Sequence, residues 1–245
     1  MPGLKDLLVN GFFRIFATER QFSDGEFLAG FLICTLVCIA AGYLLGSINT
    51  AIIVSKKVYG EDIREKGSTN AGMTNMFRIY GKKGGFLTLL GDFLKTLVSV
   101  AIGYLMLGHD GAYIAGLFCI LGHVFPVFYK FKGGKGVLAA AVTILLCDPV
   151  VFCLVILVFA IVLLGSKMVS MASVMSALMF PLFVDIWYRI NNGGESGAAG
   201  LKMIMALLVT VVIVTKHIPN LKRIYAGQEP KITLPWEKKK KNKDK

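Results

Sequence analysis

Seven apolar runs, most of them long enough to cross a lipid bilayer, dominate this chain of 245 residues. Hydrophobic residues make up 55% of the sequence, and about 20 apolar residues in a helix span the hydrocarbon of a bilayer. Because backbone groups in lipid must bond within the protein, uninterrupted runs of this kind favour helices. The sequence therefore predicts an all-α, polytopic membrane protein. Its seven predicted transmembrane helices cover residues 27–54, 86–107, 113–131, 137–147, 150–164, 168–190 and 201–218.

Lysine and arginine are divided unequally between the loops that connect these runs. The chain carries a net charge of +12, and 21 of its 27 Lys and Arg residues lie at 56–83, 130–135, 167 and 216–245. Seven alternating spans place these segments on one side, and positively charged loops stay cytoplasmic. The sequence thus predicts an N-terminus outside and a cytoplasmic C-terminus. The basic residues flank spans, so membrane lipids are the expected partner and nucleic acid is not.

Three regions follow from the pattern of apolar and charged residues. Residues 1–26 form an amphipathic N-terminal extension whose apolar spacing suits a helix in the membrane interface. Ser23 or Asp24 is the expected cap of the helix that follows. Residues 27–220 form the seven-helix transmembrane domain, and residues 221–245 form a basic cytoplasmic tail.

One polar, glycine-bearing segment interrupts the apolar chain at residues 67–78. Glycine lets backbone N–H groups turn toward a ligand, and Ser, Thr and Asn add short donors. Arg78 adds a planar fork that fits phosphate. The combination suits an anionic, oxygen-rich ligand, although a solvated loop with helix caps has a similar composition. The candidate residues here are Gly67, Ser68, Asn70, Gly72, Thr74, Asn75 and Arg78.

A second basic glycine segment, Lys132-Gly133-Gly134-Lys135-Gly136, precedes a predicted helix. Glycines at a helix N-terminus expose backbone N–H groups, and the helix dipole favours an anion there. The segment is not a Walker loop, because Gly136 stands where Ser or Thr is required. A cytoplasmic loop with turn glycines is the alternative interpretation.

Ionisable residues inside the predicted spans are candidates for supporting roles. Asp92 and Lys95 lie three residues apart, share a helix face and can pair, as a structural ion pair or as part of a site. His123 stands alone in a span, where a hydrogen bond between helices is an alternative to a role as a base. Ser47 belongs to a small and polar stretch of the kind found where helices approach closely.

His217 and Asn220 lie three residues apart at the predicted end of the last span. They can face one ligand, or they can simply end the helix before Pro219. No histidine has Asp five residues later, so the HxxxxD motif of acyl-CoA-dependent glycerolipid acyltransferases is absent, and there is no GxSxG elbow. The cysteines form no CxxC pair, and neither a metal site nor a cofactor is expected.

Three blocks of sequence resemble the bacterial acyl-phosphate:glycerol-3-phosphate acyltransferase family. They are 44–48 (LLGSI), 67–95 (GSxNxGxTNxxR, then GKK and DxxK) and 121–137 (LGHxxPVF, then FKGGKGV). The resemblance extends from about Phe27 to Gly227. Met73 and Thr69 depart from the residues usual in the family, Ala and Gly. The resemblance implies seven transmembrane helices with an active site toward the cytoplasm of a bacterial cell.

The resemblance also implies a reaction, the first acylation of phospholipid synthesis. A fatty acyl group passes from acyl phosphate to glycerol 3-phosphate, giving lysophosphatidic acid and phosphate, by direct attack without an acyl-enzyme. No cofactor is needed, and the peripheral enzyme that makes acyl phosphate is an expected partner. The implied catalytic residues are Ser68, Arg78 and Lys135. The implied substrate-binding residues are Gly67, Asn70, Gly72, Thr74, Asn75, Gly133, Gly134, His217 and Asn220. The implied supporting residues are Ser47, Asp92, Lys95 and His123.

Two other classes of protein have comparable features. A transporter of an organic anion or phosphate ester also uses basic glycine loops and interrupted spans, but its site tends to lie near the midplane between internal repeats. A scaffold that recruits a soluble lipid enzyme through its basic loops is the third class. Only the first class would make lysophosphatidic acid from acyl phosphate and glycerol 3-phosphate.

Overall fold

The structure, a computed structural model, describes residues 4–193 and 200–232, and every regular element in these ranges is helical. This confirms the predicted all-α class for the described part of the chain. The chain divides into two compact units, Met1–Pro149 and Val150–Lys245. The helices are α1 (Leu4–Glu19), α2 (Asp24–Ser47), α3 (Thr50–Tyr59), α4 (Met73–Val124), α5 (Val137–Cys147), α6 (Pro149–Ser166), α7 (Val169–Asn191) and α8 (Leu201–Tyr225).

Five stretches of the described chain are long and apolar enough to cross a membrane, and α5 is a shorter apolar helix. This composition is that of a multi-pass membrane protein. The count of seven spans and the orientation of the termini stay predictions. The five stretches are Asp24–Tyr59, Met73–Tyr129, Pro149–Ser166, Val169–Asn191 and Leu201–Tyr225.

The first predicted span, residues 27–54, is divided between two helices, because the chain breaks at residues 48 and 49 between α2 and α3. Helix α2 starts at a capping box, in which the Ser23 side chain accepts from the Glu26 N–H, and it ends at Ser47. The Asn49 side chain then accepts a hydrogen bond from the Ile52 N–H, 3.1 Å away, and starts α3. An N-cap of this kind begins a new helix where the apolar run by itself suggests continuation.

Helix α4 reverses direction at Leu107 and Gly108, where the backbone leaves the helical region. The Ser99 hydroxyl donates a 3.0 Å hydrogen bond to the carbonyl oxygen of Ala115. Sixteen residues of straight helix would separate these groups by about 24 Å. The two arms of α4 on either side of Gly108 are therefore antiparallel neighbours.

The apolar pattern also predicts a loop over residues 58–84, between the first two spans, and the connection in the structure is shorter. Helix α3 continues to Tyr59 and ends at Gly60, whose φ of 71° is the left-handed conformation common after helices. Helix α4 already begins at Met73, with a kink at Gly81. The second half of the polar motif is therefore helical.

Helix α1 packs against the reversal of α4. A Cβ added at Gly11 would lie 2.6 Å from the carbonyl carbon of Leu107. Arg14 and Asp110 form an ion pair at 3.8 Å. Phe12 is 63% exposed, as expected for a helix in the membrane interface. The interfacial position of α1 stays a prediction.

In the second unit, α8 is longer than the predicted span that ends at residue 218. It continues through Pro219 to Tyr225, because a proline removes only one backbone donor and the turns on either side remain bonded. The Thr210 hydroxyl donates to the carbonyl of Ala177 at 2.7 Å and joins α8 to α7. The Lys-rich end of the predicted tail, Lys238–Lys241, lies outside the described residues.

Candidate active site

Two loops of the first unit each lead into the start of a helix. The Ser68 loop, residues 60–72, precedes α4, and the Lys135 loop, residues 125–136, precedes α5. The N-cap residues are Gly72 and Gly136, so neither helix start has a side-chain cap. The N–H groups of a first helical turn have no partner within the helix. Both starts are therefore suited to bind an anion.

Asn75 holds the Ser68 loop in shape from the first turn of α4. Its Oδ1 accepts a hydrogen bond from the Ser68 N–H at 3.1 Å. Its Nδ2 donates to the carbonyls of Lys66 at 2.9 Å and Asn70 at 3.2 Å. Asn75 is 1% exposed. The family resemblance implies that Asn75 holds this loop and binds substrate, and in the structure its amide bonds to the loop itself.

The Ser68 loop contains two residues in the left-handed region. Gly67 has a φ of 57° and Thr69 a φ of 59°. For a residue with a side chain this conformation costs roughly 1–2 kcal/mol. The Thr69 hydroxyl donates to the carbonyl oxygen of Ser68 at 2.7 Å. The substitution of Thr for Gly noted in the sequence thus keeps the turn at the expense of backbone strain.

Arg64 joins the two loops, a role that its residue type and neighbours in the sequence do not predict. Its guanidinium donates to both carboxylate oxygens of Asp62, at 3.0 and 2.7 Å, and to the carbonyl of Tyr129 at 3.2 Å. A further donation reaches the carbonyl of Lys132 at 3.4 Å. The Arg64 guanidinium holds the pKa of Asp62 well below its usual range. In the sequence, only the position of Arg64 beside the polar motif could have signalled this role.

Glycine allows the Lys135 loop to approach the Ser68 loop closely. The Gly134 N–H donates to the carbonyl oxygen of His123 at 3.1 Å. A Cβ added at Gly134 would lie 2.7 Å from the carbonyl oxygen of Ala71, in the Ser68 loop, and would collide with the His123 ring. The two loops therefore meet at Gly134, one residue before Lys135.

A buried ion pair lies beneath the loops. Lys95 Nζ is 2.8 Å from Asp92 Oδ1, which confirms the predicted pairing. The ammonium also donates to the carbonyls of Gly46 at 3.0 Å and Ile48 at 2.9 Å, at the C-terminal end of α2. It lies 3.0 Å from His123 Nδ1. A cation is favourable at a helix C-terminus, so Lys95 compensates for the break between α2 and α3.

The other predicted residues of the first unit differ in exposure. Ser47 is buried, and its Oγ accepts from the Val127 N–H at 3.4 Å. Arg78 is exposed on α4. Gly67 is exposed, and Ser68, Asn70, Gly72, Thr74, Gly133 and Lys135 are partly exposed. Most of the residues that were predicted to contact substrate are therefore accessible.

His217 and Asn220 belong to the second unit and are buried there. Asn220 Nδ2 donates to Glu229 Oε1 at 2.6 Å, and the same oxygen accepts from the Ser170 hydroxyl at 2.7 Å. Burial by itself would raise the pKa of Glu229, but the hydrogen bonds from Asn220, Ser170 and Arg223 outweigh it and lower the pKa. No local pattern in the sequence indicates Glu229 as the partner of Asn220.

Within residues 4–193 and 200–232, no group of three or more His, Cys, Asp and Glu side chains could hold a metal ion. Besides the carboxylates of Glu61, Asp62 and Glu65, the loops offer hydrogen-bond donors and cations. Such groups bind anions.

The fold and these loops together define a multi-pass membrane protein with two loops that lead into uncapped helix N-termini. The sequence profile of the glycerol-3-phosphate acyltransferase family matches residues 36–227. The chain belongs to this family, and the predicted resemblance is confirmed.

Relatives and solved structures of similar length support the assignment. Glycerol-3-phosphate acyltransferase of Bacillus subtilis (strain 168) is 38% identical over 82% of this chain and 98% of its own. The enzyme of Finegoldia magna is 36% identical over 82% and 96%. A crystal structure of PlsY (YgiH), an integral membrane glycerol 3-phosphate acyltransferase in its glycerol 3-phosphate form, has a TM-score of 0.73 and 33% identity, over 81% of this chain and 96% of that one. Its lysophosphatidic acid form has a TM-score of 0.71 and 32% identity, over 81% and 95%.

Proposed function

We propose that this protein transfers a fatty acyl group from acyl phosphate to glycerol 3-phosphate. The acyl carbon forms an ester bond with a hydroxyl oxygen of glycerol 3-phosphate, and its bond to the phosphate oxygen breaks. The products are lysophosphatidic acid and inorganic phosphate. The proposal joins the family membership of the chain to the chemistry of its two loops.

The meeting of the Ser68 and Lys135 loops is the observation that supports the proposal most directly. Both substrates carry phosphate, so the reaction needs two anion sites side by side. The loops touch at Gly134 and Ala71 and are tied together by Arg64. Each lies at a helix N-terminus, where backbone N–H groups and the helix dipole favour negative charge.

The proposed roles divide the charge between the loops. Ser68 and the backbone from Gly67 to Gly72 hold a substrate phosphate, with Asn70 and Thr74 as further donors. Arg78 and Lys135 neutralise charge that develops on the leaving phosphate, and Gly133 and Gly134 bring backbone close to it. Asn75 keeps the Ser68 loop in its binding shape. The family resemblance assigns His217 and Asn220 the task of orienting glycerol 3-phosphate.

The proposed mechanism is direct attack, without an acyl-enzyme. Acyl phosphate is an activated mixed anhydride with a good leaving group, so it needs less activation than an ester or an amide. The proton of the attacking hydroxyl passes to a substrate phosphate. Positioning of the two substrates and stabilisation of the developing charge then supply most of the rate. A trapped acyl-enzyme on any side chain would refute this scheme.

The proposed topology has seven passes, an external N-terminus and an active site on the cytoplasmic face of the bacterial cell membrane. The reversal of α4 at Gly108 supports this count, since its two arms together with α2, α5, α6, α7 and α8 make seven. A peripheral enzyme that makes acyl phosphate could then deliver it from the cytoplasm. A single cysteine placed at Lys57, in a variant without the native cysteines, should react with an impermeant thiol reagent only in inside-out vesicles.

One assay tests the activity and its donor. The purified protein in detergent receives glycerol 3-phosphate with either acyl phosphate or acyl-CoA, and lysophosphatidic acid is measured. We expect lysophosphatidic acid with acyl phosphate as the donor and none with acyl-CoA. Lysophosphatidic acid with acyl-CoA but not with acyl phosphate would overturn the proposed donor. Absence of product with both donors would overturn the enzyme and favour a transporter of an organic anion or phosphate ester, or a scaffold.

A further inference from the structure

His123 lies where the buried ion pair meets the Lys135 loop, and the proposed mechanism gives it no task. It is 5% exposed, near the end of the second arm of α4. Its carbonyl accepts from the Gly134 N–H, and its ring lies against the same glycine. A buried imidazole with a cation on one side and a glycine loop on the other calls for a physical explanation.

Lys95 determines which ring nitrogen of His123 carries the proton. The ammonium of Lys95 lies 3.0 Å from Nδ1, and an ammonium can only donate. Two of its three N–H groups go to the carbonyls of Gly46 and Ile48, and Asp92 Oδ1 accepts no hydrogen bond within the described residues, so the third N–H is directed to Nδ1. Nδ1 then accepts, with its lone pair toward Lys95, and the ring proton resides on Nε2. In the opposite arrangement an N–H of the ring would face the N–H of Lys95. Asp92 Oδ1, 3.6 Å from Nδ1, is closer to Lys95, at 2.8 Å, and serves as its counter-ion.

The other ring nitrogen, Nε2, faces the contact between the two loops. A Cβ added at Gly134 would collide with Nε2 and would lie 2.7 Å from the carbonyl oxygen of Ala71. The edge of the His123 ring thus occupies the side of Gly134 on which the Ser68 loop also lies. Lys95 in turn holds the carbonyls of Gly46 and Ile48. The ring is therefore fixed relative to the end of α2.

We propose that His123 is a positioning residue, held as the Nε2–H tautomer by Lys95, which sets the distance between the Lys135 loop and the Ser68 loop. This inference rests on the proposed function, because it assigns Lys135 to the developing charge. A displacement of about 1 Å in a group that acts on the transition state can reduce the rate about 10²-fold. Substrate binding in the ground state depends on both the Ser68 loop and the Lys135 loop. Loss of the His123 ring should therefore lower kcat more than it raises KM.

Two substitutions separate the two nitrogens of the ring. In His123→Asn the amide oxygen replaces Nδ1 and keeps the acceptor for Lys95, but nothing replaces Nε2. In His123→Gln the amide reaches the position of Nε2 and can still donate toward the loops. We expect kcat to fall about 10- to 100-fold in His123→Asn and to recover in large part in His123→Gln, with KM for both substrates within about threefold of wild type. Equal losses in the two variants, or a loss confined to KM, would overturn the proposal.

His109 offers a matched control on the same helix. It is partly buried, and its Nε2 lies 2.9 Å from the carbonyl of Cys147, at the opposite end of the second arm. His109→Gln should leave kcat unchanged. A decrease as large as that of His123→Asn would show that the second arm of α4 tolerates no histidine replacement, and would remove the special role of His123.

A spectroscopic measurement tests the tautomer without any turnover. The chain has three histidines, so ¹⁵N-histidine labelling in detergent gives a spectrum that the His123→Gln variant can assign. The expected signals of His123 are a protonated Nε2 and an unprotonated Nδ1 in the resting protein. A protonated Nδ1, in either a neutral ring or an imidazolium, would overturn the inference. If wild type makes no lysophosphatidic acid, the proposed function fails, whereas this spectrum still decides the tautomer.

Discussion

The Ser68 loop and the Lys135 loop bind the same kind of group in our proposal but are held in shape by different means. Side chains tie the Ser68 loop, through the amide of Asn75 and the pairing of Asp62 with Arg64. The Lys135 loop depends on the absence of side chains, because Gly134 packs against the His123 ring and the Ala71 carbonyl. The Ser68 loop can lose one hydrogen bond and keep the others. The Lys135 loop has no space for a Cβ at Gly134.

This difference in how the two loops are held determines which substitutions each loop tolerates. Hydrogen bonds to a buried amide can be removed one partner at a time, and each removal costs a limited amount of free energy. A Cβ that overlaps with backbone and an aromatic ring forces the whole loop to move. We therefore expect substitutions in the Lys135 loop to affect turnover more severely than comparable substitutions around the Ser68 loop.

The largest effect should come from removing the charge of the Lys135 loop. Lys135→Ala should raise the barrier by roughly 2–4 kcal/mol if the ammonium stabilises charge in the transition state. The measurement is kcat for lysophosphatidic acid formation. Lys57→Ala, which removes an exposed lysine at the end of α3, is the control and should be near wild type. Turnover of Lys135→Ala at the same level as Lys57→Ala would remove Lys135 from the site.

The next largest effect should come from Gly134→Ala, which keeps every charge and changes only the fit between the loops. The added Cβ would displace Lys135, and a displacement of about 1 Å can lower kcat about 10²-fold. Gly165→Ala is the matched control, because the Cβ that it adds meets no atom within 4 Å beyond its chain neighbours and the backbone of its own helix. Similar kcat values for the two variants would contradict the close fit of the Lys135 loop.

A smaller effect is expected for Asn75→Ala, which cuts the ties of the Ser68 loop. The Ser68 N–H and the carbonyls of Ile63, Lys66 and Asn70 lose their partner, which costs about 1–3 kcal/mol of stability and raises KM. Thermal unfolding in detergent, followed by a dye that reacts with the buried thiols of Cys38 and Cys119, measures the stability. Asn75→Asp keeps the acceptor for Ser68 and should lie between wild type and Asn75→Ala. An unchanged midpoint and KM in Asn75→Ala would mean that the loop is shaped by something else.

The smallest effect should be the pH dependence of the pairing between Asp62 and Arg64. A carboxyl with a lowered pKa in the folded state contributes stability above its unfolded pKa, and this contribution is lost as the pH falls toward the folded pKa. Acidification below about pH 4 should therefore lower the unfolding temperature of wild type more than that of Asp62→Asn. Parallel decreases in the two proteins would exclude a contribution from this pair. Solvent screening keeps the effect small.

Local rules predicted what depends on neighbouring residues. Asp92 and Lys95 pair because a spacing of three residues puts both on one helix face. Ser23 caps α2 because its short side chain reaches the N–H of Glu26. The glycines at 133 and 134 precede a helix, as the sequence predicted. These interactions join residues that are close in the sequence, so the sequence alone is sufficient to predict them.

Distant contacts could not be predicted in the same way. Arg64 donates to the Tyr129 carbonyl, 65 residues later in the chain, and nothing in its neighbourhood indicates that partner. The residues around Ser47 have the hydropathy of a continuous apolar helix. Hydropathy does not show that Lys95 binds the carbonyls of Gly46 and Ile48, which lose their helical partners at the break. The glycines around Gly108 indicate a turn at this point in the sequence. No sequence pattern indicates how the two arms of α4 pack against each other.

The sequence alone determined that this protein is helical, that its helices are apolar enough for a membrane, and that its polar residues collect in two glycine-bearing segments. Those properties follow from composition and from spacing along a helix. Only the tertiary structure decided that the two segments touch, that Arg64 joins them, and that His123 lies between Lys95 and Gly134. The physical reason is that these features are contacts between segments far apart in the chain, and they come into existence when the helices pack.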